Sequence, residues 1–286
     1  MSVEHREFEV ISPTGPRLAV WERGARGAPP IVVMHGLTMT SEQAFGSTSP
    51  ILAAGFRLIA YDARGHGASD RAGGPGEYAY EYLLGDLLEV MDRCGAERAV
   101  VAGISMGAHT ALRLSLEQPE RALGLAVISP AYDPDDFPGE ENAAEALALA
   151  EGTRTRGAAG FAASMRMPEG FIRDAATQKT AEGFTRRSIE RHTDLDALAD
   201  AIEGTLDSRP FGSLGELAAI EVPTVVVGSR DDLDTRHPLV IAQSYAAALD
   251  GCEFVCEEEG RAPLGWGGRR LMALITGHAQ AVYGQL

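Results

Sequence analysis

The chain alternates short apolar runs with segments of helical periodicity along most of its length. Runs of this kind occupy residues 30–36, 56–62, 98–105, 123–129 and 223–229. A continuous apolar run bounded by turn residues is typical of a strand that is buried on both faces. The segments 79–94 and 106–118 instead place apolar side chains at a helical period. This alternation predicts an α/β fold, in which helices cover both faces of a mostly parallel sheet.

Three further strands complete a predicted eight-stranded sheet. Residues 6–12 and 17–23 alternate polar and apolar side chains and are separated by turn residues, as in a hairpin. The segment 252–259 is the last predicted strand. Two more helices are predicted, at 238–249 and at 269–283.

The alternation stops between residues 133 and 211. This stretch contains several helical patterns and no clear strand. We therefore predict a helical cap over 133–211, inserted into a core domain formed by 1–132 and 212–286. A length of 286 residues is ordinary for one α/β unit with an insertion.

The sequence GISMG, residues 103–107, lies between a predicted buried strand and a predicted helix. A serine on such a turn has a strained backbone and needs small neighbours, which Gly103 and Gly107 provide. Ser105 is the candidate nucleophile. The amide of Met106, at the helix N-terminus, is a candidate donor to an oxyanion.

A second candidate oxyanion donor follows the strand at 30–36. There the sequence reads HGL, residues 35–37, and we expect the amide of Leu37 to complete the oxyanion hole. His35 itself is interpreted as structural.

The next predicted strand is followed by YDARGHGASD, residues 61–70. The order of HG, then D-x-R-G-x-G-x-S, then GISMG resembles the α/β-hydrolase fold superfamily. The resemblance extends from about residue 6 to residue 283. It implies an α/β-hydrolase fold and points less specifically to the reaction. His66, within the turn motif, is interpreted as structural.

The resemblance also implies a catalytic carboxylate after the strand that follows the cap. That region reads VVVGSRDDLDTRHP, residues 225–238, and the family's G-x-x-D spacing selects Asp231. Asp232 and Asp234 are the alternatives. A solvated acidic loop with no catalytic part is the other interpretation.

The family's catalytic histidine follows the last strand, usually in a G-H pair, but here the pair is Gly260-Arg261. Arginine stays protonated and cannot accept a proton from Ser105. A relocated base would resolve this, because catalytic triads are defined by geometry rather than chain order. His237 is the first candidate, and His192, which is also a candidate substrate contact, is the second. Weaker candidates are His109 and His278.

Two alternatives to a relocated base remain open. In the first, the protein is a non-hydrolytic lyase or cyclase of secondary metabolism, and Arg261 is a candidate substrate anchor. In the second, the protein is a pseudoenzyme that binds a ligand without turnover. The segments 192–211, 229–238 and 257–266 resemble a subgroup of α/β-hydrolase-like proteins that has an aspartate-to-HP loop and lacks the late histidine. This resemblance favours an absence of the late histidine that the subgroup shares over a random loss of that histidine in this chain.

Composition limits the partners. A formal charge of −16 argues against nucleic acid and anionic membranes. The three cysteines suggest neither a disulfide framework nor a zinc site, and no signal peptide or membrane-length apolar run occurs, which indicates a cytoplasmic protein. We expect a small-molecule substrate and no cofactor or metal, and the sequence leaves a homodimer open.

Apolar side chains of the cap are candidates for lining the substrate pocket. They are Phe137, Phe161, Met165, Met167, Phe171 and Phe184.

The sequence therefore predicts a serine-dependent hydrolase of the esterase, lactonase or thioesterase kind, acting on a small, fairly apolar carbonyl compound. Ser105, Asp231 and His237 are the predicted catalytic residues. The predicted oxyanion donors are Leu37 and Met106.

Overall fold

The computed structural model describes residues 4–137, 139–164, 183, 185–230, 234, 236–258 and 266–286. Eight strands form one sheet, and each corresponds to a strand predicted from the sequence. They are β1 (His5–Ile11), β2 (Arg17–Arg23), β3 (Pro30–Met34), β4 (Arg57–Tyr61), β5 (Ala99–Ile104), β6 (Ala122–Ile128), β7 (Thr224–Gly228) and β8 (Glu253–Cys256).

The strand order is β1-β2-β4-β3-β5-β6-β7-β8. The pairs β1–β2 and β2–β4 are antiparallel, and all the others are parallel. Met34 of β3 pairs with Gly103 of β5, and Ile104 of β5 pairs with Ile128 of β6. The carboxyl ends of the central strands therefore meet at one edge of the sheet, where α/β proteins bind their ligands.

Helices cover both faces of the sheet. One face packs against α3 (Tyr80–Arg93), α4 (Met106–Glu117) and α7 (Leu239–Ala248). The other face packs against α1 (Ser41–Phe45), α2 (Ser49–Ala53) and α8 (Gly268–Tyr283). Short 3-10 turns occur at Pro75–Tyr78, Pro119–Arg121 and Leu214–Ala219.

The central strands are apolar because both of their faces are covered. In β5, Val101 belongs to the core cluster under α3 and α4, whereas Val100 and Ala102 belong to the cluster under α8. Successive side chains of a strand point to opposite faces, so a strand between two helical layers needs apolar residues at every position. The predicted α/β fold with a mostly parallel sheet is confirmed.

A helical insertion lies between β6 and β7. It contains α5 (Glu140–Ser164), which has non-helical dihedral angles at Gly157, and α6 (Leu195–Leu206); residues 185–189 are also helical. Phe161 is fully buried in the apolar cluster of the insertion, so it packs within the cap. The cap boundaries at 133 and 211 stay a prediction. The described residues exclude Met165, Met167, Phe171 and Phe184.

Asp62 organises the turn that follows β4. One carboxylate oxygen accepts hydrogen bonds from the amide and hydroxyl of Ser41, at 2.8 and 2.7 Å, and the other accepts from the amide of Ala68 at 3.0 Å. A Cβ atom on Gly67, where φ is 52°, would lie 1.9 Å from this carboxylate. Glycine is therefore required there by both its dihedral angle and its close contact.

Buried polar contacts attach the same turn to its neighbours. Arg64 makes a two-pronged ion pair with Asp86 of α3, with both hydrogen bonds at 2.7 Å. His35 donates from Nδ1 to the carbonyl of Gly36 and accepts at Nε2 from the amide of Ala63, both at 2.9 Å. This supports the structural interpretation of His35. No helix in the described part of the chain is long and apolar enough to cross a membrane.

Candidate active site

Ser105 forms the sharp turn between β5 and α4. Its dihedral angles are φ 48° and ψ −109°, and it directly precedes the first residue of α4. Its amide donates to the carbonyl of Ile128 at 2.9 Å, and its carbonyl accepts from the amide of His109 at 3.0 Å. A non-glycine residue held in such a region costs about 1–3 kcal/mol, which the surrounding structure must offset.

Close backbone packing explains the two glycines beside this serine. A Cβ atom on Gly103 would lie 2.1 Å from the carbonyl carbon of Gly107, and one on Gly107 would lie 2.4 Å from the carbonyl oxygen of Met34. Neither position has room for a side chain. The turn is therefore pressed against its own helix and against β3.

The two predicted oxyanion donors lie in adjacent parts of the structure. Met106 is the first residue of α4, and the first amides of a helix have no acceptor within the helix. The side chain of Leu37 packs against the small apolar cluster that contains Met106. Gly36 is close to the residue before Ser105, since a Cβ there would lie 3.4 Å from the carbonyl oxygen of Ile104.

Backbone strain is concentrated at this edge of the sheet. Among the described residues, three non-glycine residues have positive φ: Thr38 at 68°, Ser105 at 48° and Ser129 at 47°. They follow β3, β5 and β6, which are neighbours in the sheet. Strained conformations of this kind cluster at active sites.

His109 lies one helical turn after Ser105, and its ring forms hydrogen bonds only with uncharged groups. Its Nε2 accepts from the amides of Ala131 and Tyr132 at 3.2 and 3.3 Å, so the ring proton is on Nδ1. That nitrogen donates to the hydroxyl oxygen of Tyr80 at 2.9 Å. Burial, together with the charge of His237, lowers the pKa of His109 to about 3. A ring with both nitrogens engaged is a poor general base.

His237 forms the one histidine–carboxylate pair near this edge within the described ranges. Its Nδ1 lies 2.7 and 2.8 Å from the two carboxylate oxygens of Asp234, and its amide donates to the Asp234 carbonyl at 3.2 Å. Burial opposes ionisation of Asp234, but attraction and hydrogen bonding by His237, with a contribution from Arg236, lower its pKa below the ordinary value. The loop that carries this pair follows β7, so it lies at the same carboxyl edge of the sheet as Ser105.

The family model described as alpha/beta hydrolase fold matches residues 29–233. The chain belongs to the α/β-hydrolase fold family. This match includes both glycine-rich turns, Ser105 and the strand that precedes the acidic loop.

Several curated and solved relatives are hydrolases. The chain is 29% identical over 237 residues to 3-oxoadipate enol-lactonase 1 of Acinetobacter baylyi. This alignment covers 81% of this chain and 82% of that protein. It is 32% identical over 120 residues to epoxide hydrolase A of Mycobacterium tuberculosis, covering 42% of this chain and only 37% of that protein. The crystal structure of a hydrolase from Pseudomonas aeruginosa PA01 superposes with a TM-score of 0.72 at 25% identity, covering 98% of each chain. The prediction of an α/β-fold hydrolase is confirmed.

Two of the predicted site residues, Asp231 and Arg261, lie outside the described residues, so their roles stay predictions. The same holds for the predicted absence of a late catalytic histidine. The carboxylate that contacts His237 is Asp234, which the family spacing ranks below Asp231. The structure therefore shows Asp234 paired with His237, whereas a pairing of His237 with Asp231 is untested.

His192 lies at the junction of cap and core. Its Nδ1 donates to the carbonyl of Ser188 at 2.8 Å, and its ring centroid is 5.7 Å from that of His66. Neither contact involves Ser105, so the substrate-contact role of His192 stays a prediction. His278 packs near Gly124 and Pro223, at the opposite edge of the sheet from Ser105.

Sequence reasoning missed Glu257, a buried carboxylate at the end of β8. It accepts hydrogen bonds from the hydroxyl of Ser229 at 2.6 Å, the amide of Arg230 at 2.7 Å and the indole N–H of Trp266 at 3.1 Å. Burial opposes its ionisation, but the hydrogen bonds from Ser229 and Arg230 contribute to lowering its pKa. Glu257 thus anchors the start of the loop that carries His237. Its place in an acidic run gave no signal that it is buried.

Burial of neutral histidines predicts a specific dependence of stability on pH. The pKa of His109 is lower in the folded state than the ordinary 6.5, so folding is favoured above pH 6.5 and this contribution is lost as pH falls toward 3. Near pH 5.5, the substitution His109→Gln should reduce the slope of the unfolding free energy against pH by about 1 kcal/mol per pH unit. Urea denaturation at a series of pH values measures the slope. The control is Thr153→Val, which changes a buried side chain that does not titrate and should leave the slope unchanged; an unchanged slope in His109→Gln contradicts the assignment.

Proposed function

We propose that the protein hydrolyses small, fairly apolar esters, lactones or thioesters through a covalent intermediate on Ser105. The amides of Leu37 and Met106 stabilise the oxyanion, and His237 acts as the general base. Asp234 holds the base in its working tautomer.

The observation that carries this proposal is the strained conformation of Ser105 at the head of α4. Close contacts of Gly103 and Gly107 hold the turn in this conformation. A glycine at position 105 would adopt the same positive φ without strain, so the structure does not need a serine there. A serine retained at a strained position at the carboxyl edge of the sheet is best explained by its hydroxyl. The first amides of α4 then face the position where negative charge develops.

The hydrogen bond between His237 and Asp234 supports the role of base. A carboxylate that accepts from Nδ1–H leaves the lone pair on Nε2, which is the arrangement that general-base catalysis by histidine requires. It also stabilises the imidazolium that forms when Nε2 takes a proton. Asp231 is the alternative acid, on the same loop. We expect Nε2 of His237 to come within hydrogen-bond reach of Ser105 Oγ when substrate binds.

The proposed reaction has two half-steps. Ser105 Oγ attacks the substrate carbonyl while its proton passes to His237 Nε2, and the resulting oxyanion accepts hydrogen bonds from the Leu37 and Met106 amides. Collapse breaks the bond to the leaving oxygen or sulfur, which takes the proton from His237. Water then attacks the acyl-enzyme with the same base, and Ser105 is regenerated.

Two observations support the substrate class. The residues packed with Leu37 and Met106 are Ala63, Tyr80 and Leu83, which give the region an apolar character suited to an acyl chain. The enol-lactonase relative aligns over most of both chains, which favours a lactone among the candidate substrates. With a lactone, the leaving alcohol remains attached until water releases the acyl group.

The first test compares the wild type with Ser105→Ala on p-nitrophenyl butyrate and on a small aliphatic lactone. We expect hydrolysis by the wild type and a fall in kcat/KM of about 10⁴-fold or more in the variant, since the nucleophile is lost. Absorbance and pH-stat assays follow the two substrates. Equal rates for both proteins overturn the proposed function.

The second test separates the candidate groups of the acid loop. His237→Gln removes the base, so kcat should fall by about 10²–10⁴-fold with little change in KM. Asp234→Asn should produce a smaller fall in kcat, because the ring keeps its position but loses its preferred tautomer. If Asp231→Asn has the larger effect, Asp231 is the orienting acid.

A matched control for this second test is His278→Gln, which changes a histidine at the opposite edge of the sheet and should keep wild-type kcat. Retention of wild-type kcat by His237→Gln shows that another group accepts the proton from Ser105.

A further inference from the structure

The turn that carries the proposed oxyanion donor contains an unusual residue. The amide of Met39 donates to the carbonyl of Gly36 at 3.1 Å, and Leu37 and Thr38 lie between them. Thr38 has φ 68°, a left-handed conformation that suits glycine or asparagine at this position of a turn. A β-branched residue is disfavoured there, so other contacts must hold the turn.

One such contact comes from the cap. The hydroxyl of Ser188 donates to the carbonyl of Thr38 at 2.5 Å, and Ser188 is only 1% exposed. The two residues are 150 positions apart in the chain. The hydrogen bond therefore joins the helical insertion directly to the strained turn.

The cap segment around Ser188 is itself fixed in two ways. The amide and hydroxyl of Thr193 donate to the carbonyl of Gly67, at 2.9 and 2.8 Å. Ile189 belongs to the buried apolar cluster of the cap, against which the side chain of Leu37 packs. Ser188 is consequently held at a defined place relative to the oxyanion turn.

We propose that Ser188 is a positioning residue that sets the oxyanion donor of the hydrolytic reaction proposed above. The connection runs through two peptide groups. Ser188 binds the carbonyl of the peptide that joins Thr38 and Met39, and the N–H of that same peptide binds the carbonyl of Gly36. The Gly36 carbonyl shares its peptide group with the Leu37 N–H. Hydrogen bonds in such a series fix and polarise one another, so the cap hydroxyl orients and strengthens the donor.

The oxyanion hole is then complete only when the cap is docked. Loss of the Ser188 hydroxyl leaves the Thr38 carbonyl without this donor and allows the strained turn to relax. The Leu37 amide then moves from the position that the oxyanion needs. Because Ser188 acts through the backbone, the effect falls on the chemical step rather than on the apparent affinity for substrate.

A double-mutant cycle tests the proposal with the full-length protein. The variants are Ser188→Ala, Thr38→Gly and the two combined. The measurements are kcat and KM for p-nitrophenyl butyrate and the rate of Ser105 phosphonylation by an alkyl fluorophosphonate. Ser188→Ala should lower kcat and the labelling rate about tenfold with KM nearly unchanged, a smaller loss than the roughly 10²–10³-fold seen when an oxyanion donor is removed outright.

The second substitution distinguishes positioning from a general weakening of the cap. Glycine adopts the left-handed conformation without strain, so in the Thr38→Gly background the loss of the Ser188 hydroxyl should cost about twofold or less. The control is Thr153→Val, which removes a buried cap hydroxyl that donates to the Leu149 carbonyl within α5 at 2.7 Å and should keep the wild-type labelling rate.

The outcomes for Ser188 and for the proposed function are distinguishable. A wild-type Ser105 that neither reacts with the fluorophosphonate nor supports ester hydrolysis overturns the proposed function. A reactive wild type with an equally reactive Ser188→Ala overturns the positioning role alone. A tenfold loss that persists undiminished in the Thr38→Gly background also overturns it, because the effect is then independent of the turn.

Discussion

The close contact of the β5–α4 turn with its own helix and with β3 is the constraint on which the rest of the site depends. Gly103 and Gly107 permit backbone approaches that no side chain tolerates. These approaches hold Ser105 in a strained conformation at the head of α4, next to the loop that carries Leu37. The stability that maintains this strain comes from the two apolar layers on either side of the sheet, so the fold and the conformation of Ser105 are energetically linked.

Polar contacts between distant segments arrange the remaining groups around this fixed point. The buried carboxylate of Glu257 holds the start of the loop after β7, where Asp234 and His237 pair. Ser188 of the helical insertion contacts the turn after β3. Loops that follow neighbouring parallel strands carry the residues of the candidate site, and hydrogen bonds between distant segments set their relative positions. A division of this kind lets one sheet support different reactions.

The sequence predicted the strands and the sharp turn at Ser105 well because their signals are local, and the role of Ser105 as nucleophile stays a prediction. A run of apolar residues marks each buried strand, and Gly103 and Gly107 flank Ser105 directly. The short helices α1 and α2 were not predicted, since five residues are too few to show a helical period. The pairing of Asp234 with His237 depends on the path of a loop, so a spacing rule could not predict it, and the Asp231 that the rule selected stays a prediction. The contact between Ser188 and Thr38 joins residues far apart in the chain and leaves no local pattern.

The central claim is that His237 accepts the proton of Ser105, and nitrogen NMR of the histidine side chains tests it most directly. Spectra are recorded at mildly alkaline pH before and after Ser105 adds to an alkyl trifluoromethyl ketone, with His237→Gln used for assignment. In the free enzyme we expect the ring proton of His237 on Nδ1, where Asp234 accepts it. Addition of Ser105 Oγ to the ketone forms a hemiketal oxyanion and passes the serine proton to Nε2, so in the adduct we expect a doubly protonated ring, which the adjacent anionic oxygen favours. A His237 signal that is unchanged by modification of Ser105 contradicts the claim.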